Sequence, residues 1–87
     1  MSQQRPLHAA DINRVLKGVD RGISDLARAA HRQEFVITRT SKGHVRVMTP
    51  PGVPKQIHVM PSTPSDFHSV RNARSNLRKI GVELPRS

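Results

Sequence analysis

Apolar side chains recur along this chain at helical spacing, then at strand spacing, then at helical spacing again. Ile12, Val15, Leu16 and Val19 follow the helical period and predict a helix from Ala9 to about Lys17. Gly18 and Gly22 would each cost a helix interior roughly 1 kcal/mol relative to Ala, so a single uninterrupted helix is not expected there. A second helix is predicted from Ser24, as N-cap, to about Gln33. Asp25 suits the positive first turn of that helix, and Leu26, Ala27 and Ala30 give it an inward face.

The period then becomes two. Phe35-Val36-Ile37-Thr38 is rich in strand formers, and His44-Val45-Arg46-Val47-Met48 alternates cleanly. Ser41-Lys42-Gly43 between them fits a three-residue hairpin loop closed by a left-handed Gly. That register gathers Phe35, Ile37, Val45 and Val47 on one face and Thr38, Thr40, His44 and Arg46 on the other. A third strand is expected over Lys55–Met60, after the turn Thr49-Pro50-Pro51-Gly52-Val53-Pro54. Pairing Val47 with Ile57 and Val45 with Val59 keeps its apolar positions together and sets His58 opposite Arg46. The expected sheet has one oily face and one basic, histidine-bearing face.

A final helix is expected from about Pro64 to Lys79, ended by Gly81. Thr63 as N-cap, Pro64 at the first helical position and Asp66 three residues after the cap form a variant capping box. Phe67, Val70, Ala73, Leu77 and Ile80 make its inward stripe. Arg71, Arg74 and Arg78 recur at spacings of three and four and line one flank. Residues 1–8 read as a flexible lead and 9–84 as one domain. The fold class is α+β, a two-layer domain in the order α-α-β-β-β-α.

At 87 residues a chain buries only a thin core, which excludes a two-domain enzyme with a deep cleft. Cys is absent, so disulfides, thiolate metal sites and thiol nucleophiles are excluded as well. The formal net charge is +9, and most of it follows residue 34, where nine basic side chains face only Asp66 and Glu83. Arg dominates among these, and its planar fork suits phosphate. A polyanion, nucleic acid above all, is the expected partner. No stretch approaches the length of a membrane-spanning helix and the start has no signal-like apolar core, so a cytoplasmic protein without a membrane partner is expected.

Three groups of residues could carry chemistry. His44 and Arg46 share the open sheet face in the expected register. An imidazole that titrates near ~6.5 can take the 2′-hydroxyl proton of RNA, while a cation holds the phosphorane oxygens. His58 or a water would serve as the acid. The alternative is that His44 is an ordinary solvent-facing strand residue. His44 and His58 lack a neighbouring carboxylate or thiol to complete a metal site, so neither a metal nor another cofactor is expected. Lys42, Arg71, Arg74, Arg78 and Lys79, with Arg46 and His58, are the candidate nucleic-acid contacts, suited to phosphates rather than bases. The alternative for the helical residues is a solvated face. Phe35 and Phe67 are the only aromatic residues and both are expected in the core, which disfavours base stacking.

A helix, three strands and a helix, with a Gly–His step opening the second strand, resembles the HicA family of small toxins. The similarity spans about Ser24 to Leu84. Arg39-Thr40-Ser41-Lys42-Gly43-His44-Val45-Arg46-Val47 is similar to that family's catalytic strand. Pro61-Ser62-Thr63-Pro64-Ser65-Asp66, with Asn72-Ala73-Arg74 and Leu77-Arg78 downstream, resembles related actinobacterial and phage proteins. The resemblance implies a fold like the double-stranded-RNA-binding domain, metal-independent mRNA cleavage with His44 as the catalytic residue, and restraint by a HicB-like antitoxin. The family's pattern has Gly-Ser-His, whereas Gly43 here abuts His44 directly, and the helix near residues 9–18 is additional. Two other readings stay open. One is a non-catalytic RNA- or DNA-binding module. The other is a phage protein that engages a host protein through the additional helix, with Ile12 or Leu16 at the contact.

Overall fold

The computed structural model of the protein describes residues 9–63 and 67–84. The elements run α1 (Ala9–Val15), α2 (Arg21–Arg32), β1 (Val36–Arg39), β2 (Val45–Met48), β3 (Ile57–Met60) and α3 (Phe67–Lys79). The strands form one antiparallel sheet in the order β1-β2-β3. This is the expected α+β order. The flexible lead over 1–8 and the capping box at Pro64 and Asp66 lie outside the described residues, as does the Phe67 side chain.

The core is a single cluster. Ile37, Val45, Val47 and Met60 come from the sheet, Ile23, Leu26, Ala27 and Ala30 from α2, and Ala73 and Leu77 from α3. Ile12 and Leu16 of the α1 segment join the same cluster at 3% and 4% exposure. The α1 segment is therefore part of the core, and Ile12 and Leu16, expected at a contact with a host protein, are instead buried within the domain. No polar or charged residue is buried among those described. The charged side chains among the described residues all keep contact with solvent.

α2 starts earlier than its sequence pattern suggested. Asp20, not Ser24, is the N-cap. Its Oδ2 accepts from the amides of Gly22 (2.9 Å) and Ile23 (3.3 Å), satisfying donors that a helix start leaves open. Ser24 lies inside the helix, its amide bonded to the Asp20 carbonyl at 2.8 Å. Gly22 is no breaker in this first turn. A Cβ there would meet Asp20 Oδ2 at 3.1 Å and Val70 Cγ1 at 3.3 Å, so Gly22 lets α2 and α3 approach closely.

Both long helices end in the same way. The amides of Glu34 and Phe35 bond the carbonyls of His31 (3.0 Å) and Ala30 (3.1 Å). Those of Gly81 and Val82 bond Arg78 (3.1 Å) and Leu77 (2.9 Å). These are Schellman motifs, which need a left-handed residue just past the helix. Gly81 fills that position at the end of α3 with φ +105°, whereas α2 uses Glu34 with φ +71°. The residues that follow, Phe35 and Val82, turn into the core. The Gln33 side-chain amide joins the two ends, with Nε2 donating to the Glu83 carbonyl at 2.8 Å and Oε1 accepting from the Glu83 amide at 2.7 Å.

The first hairpin has the expected register, with Ile37 opposite Val47 and Thr38 opposite Arg46. The Gly43 amide closes the turn on the Thr40 carbonyl at 2.9 Å, and Gly43 has φ +88°. The second hairpin differs from expectation by one residue. Val47 pairs with His58 and Val45 with Met60, instead of with Ile57 and Val59. A slip of one residue reverses the face of every side chain in a strand. Met60 is thus buried, while Ile57 and Val59 are each 44% exposed on the open face.

Thr49 sets that register. Its amide bonds the Gln56 carbonyl at 3.0 Å. Its hydroxyl accepts from the Gln56 amide and donates to the Pro54 carbonyl, both at 3.1 Å. The strand ends are therefore joined at Met48 and Ile57.

Candidate nucleic-acid interface

The β1–β2 hairpin carries the first set of candidate residues. Its turn is held at both ends by Thr40, whose Oγ1 accepts from the His44 amide at 3.1 Å and whose own amide bonds the His44 carbonyl at 2.9 Å. Lys42 is exposed at the tip, and His44 is half-buried where the chain enters β2. By the alternation of the strand His44 shares the open face with Arg46. Arg46 is half-buried, and its Nε donates to Thr38 Oγ1 at 3.1 Å across the strand pair. That bond fixes one edge of the guanidinium against the sheet.

His58 does not belong to this group. It pairs with Val47, a residue wholly buried on the helix-covered side, so His58 lies on the opposite face of the sheet from Arg46. The sequence expectation of His58 beside His44 on one basic face is corrected by the register. Partial burial pushes the His58 pKa below its ordinary value, because the charged imidazolium loses water there. The position opposite Arg46 is held by Val59. The open face is consequently mixed, with Val36, Met48 and Ile57 in register across one end and Thr38, Arg46 and Val59 in the next row.

The second set lies on α3. Arg71, Arg78 and Lys79 are exposed and Arg74 is half-buried. Arg78 Nη2 donates to the Leu84 carbonyl at 3.1 Å, steadying the segment that follows the helix. α3 packs on α2 and β3, in the layer that covers the buried sheet face. The helical arginines and His44 therefore occupy different layers, and the two sets are separate contact surfaces rather than one site. The described residues hold no cluster of three or more potential metal ligands, and no helix among them is long and apolar enough to cross a membrane.

Arg39 is a neighbour of these candidate residues that spacing alone does not single out. It ends β1 and is exposed, and its Nε donates to the Gly43 carbonyl at 2.9 Å within the turn that carries Lys42. The short separation of Arg39 and Gly43 in sequence was the available signal.

No protein-family model, no curated protein and no solved structure matches this chain.

Proposed function

We propose that this domain binds RNA through its phosphate backbone, using the β1–β2 hairpin and the exposed flank of α3. One observation carries this reading. The segment that builds the whole sheet, from Phe35 to Met60, contains Arg39, Lys42, Arg46 and Lys55 and not a single acidic residue. A surface of one sign attracts a polyanion and gains from releasing its counterions. The order α2-β1-β2-β3-α3 is the helix, three strands and helix that the resemblance to HicA toxins rests on. The lack of exposed Tyr or Trp, residues absent from the chain, favours contacts to backbone over stacking on single-stranded bases.

In a binding assay with a labelled RNA duplex, the purified domain should bind, and K42Q/R71Q/R78Q should bind at least tenfold more weakly. A DNA duplex of the same sequence tests the preference for RNA. Absence of binding by the unmodified domain contradicts the proposal.

Metal-independent cleavage is a second reading, favoured by the pinned backbone of His44 and the open-face position that it shares with Arg46. In this geometry His44 would take the 2′-hydroxyl proton and Arg46 would face the phosphate charge. His58 cannot serve as the acid from the opposite side of the sheet, so a water would protonate the leaving 5′-oxygen. Cleavage should persist in EDTA and disappear in H44A with the fold intact. Equal cutting by H44A would remove His44 from the mechanism.

A further inference from the structure

Arg39 lies in register with the buried Val45, on the helix side of the sheet, at the point where β1 runs out from under the core. Its guanidinium joins two distant parts of the chain. Nη1 donates to the carbonyls of Val15 at 2.9 Å and Lys17 at 3.0 Å, and Nε donates to the carbonyl of Gly43. The Val15 carbonyl closes α1 and the Lys17 carbonyl lies in the turn just past it, where helix geometry leaves acceptors open and partial negative charge accumulates. A cationic donor is well matched to that end, and hydrogen bonds from an ionised donor are the stronger kind. The end of α1 and the hairpin turn are thus held one guanidinium apart.

This junction gathers charge. Lys17 supplies one of the bonded carbonyls, Lys42 precedes Gly43, which supplies another, and both lysine side chains are exposed. Arg14, on the last turn of α1, is exposed as well. Asp11 is the only acidic residue in α1. Arg14, Lys17, Arg39 and Lys42 are thus carried by the two chain segments that Arg39 joins, and a polyanion bound across them would meet positive charge from both.

We propose that Arg14 of α1 and Lys17 of the turn that follows it form one phosphate-binding surface with Lys42, and that Arg39 is the positioning residue that holds the two parts together. This inference rests on the RNA reading above and extends it to a helix that the resemblance to HicA leaves aside. The bound chemistry is a run of phosphodiesters, met by side chains from two elements. The hairpin alone would present a single lysine at its tip.

The test uses the full chain and an RNA duplex, with affinity measured between about 50 and 200 mM salt. R14Q/K17Q should lower the slope of log K against log salt by about two, with a loss of roughly tenfold or more at the lower salt. R32Q/K55Q removes the same charge near the opposite end of the strands and is expected to change the slope by much less. R39Q should weaken binding and, in that background, K17Q should have little further effect. A folded R39Q in which K17Q keeps its full effect overturns the positioning role, and if R39Q fails to fold, R14Q/K17Q against R32Q/K55Q decides. Equal losses from those two pairs overturn the proposal and leave only a general charge effect. Binding by the unmodified domain that R14Q/K17Q leaves unchanged overturns this inference alone. No binding by the unmodified domain overturns the RNA reading with it.

Discussion

Truncating Met60 and truncating its neighbour Val59 should have very different consequences, because the β2–β3 register decides which of them is in the core. Met60 is fully buried within the core cluster, while Val59 is 44% exposed on the open face. Met-to-Ala changes in a closed core cost about 2–5 kcal/mol, since the transfer loss is joined by a cavity. Val59→Ala removes two methyl groups that are worth about 0.8 kcal/mol each when fully buried, so its cost should be about 1 kcal/mol or less. With a urea m-value of about 1 kcal/mol/M, as expected for a small domain, M60A should lower the unfolding midpoint by about 2 M or more. V59A should lower it by about 1 M or less. The assay is urea denaturation followed by far-UV circular dichroism, with M60L as the volume-conserving control, expected to lose less than about 1.5 kcal/mol. That control matters because a domain of this size has only about 5 kcal/mol to lose, and M60A could unfold outright. A larger cost for V59A than for M60A would put Val59 in the core and refute the register.

Three further outcomes follow from particular contacts. Glu34 holds a left-handed conformation that favours glycine, so E34G should stabilise the domain by about 1 kcal/mol and raise Tm by about 4–8 °C. An unchanged or lower Tm contradicts the strain. Q33A removes both bonds to the Glu83 backbone and should cost about 1–2 kcal/mol, with faster amide exchange at Glu83. Exchange as slow as in the unmodified chain would show that another contact secures that segment. His58 has a depressed pKa in the folded state because of burial. The unfolded chain therefore takes up this proton first as pH falls, so the His58 contribution is full above about 6.5 and is lost as pH drops from there through the lower folded value. Thermal melts across that range should show a weaker pH dependence in H58Q, and an identical dependence would contradict the assignment.

What the sequence made legible depended on the range of the contact that decided each feature. The β1–β2 hairpin was readable because a three-residue loop ending in Gly43 permits one register, and alternation then sorts Val45 and Val47 from His44 and Arg46. The next loop, with Pro50, Pro51 and Pro54, fixes no register by its length. There the alternation of Ile57 and Val59 pointed to the wrong face, and the Thr49 side chain bonded to Gln56 and Pro54 settles the pairing. The α2 start is not legible in the sequence, because Gly22 looks like a breaker until its closeness to Val70 is known. The candidate site divided in the same manner. Lys42, His44 and Arg46 were legible as one strand-and-turn unit. The displacement of His58 follows from the register, and the link from Arg39 to Val15 and Lys17 joins residues more than twenty positions apart.

The most direct test of RNA binding through phosphates is the salt dependence of the affinity for a short RNA duplex. Each neutralised phosphate releases condensed counterions, so log K should fall linearly with log salt, by a slope of roughly 0.7–0.9 per contact. The basic hairpin and the flank of α3 together predict a slope of several units. A slope near zero, or no measurable binding to the duplex at low salt, would contradict the account.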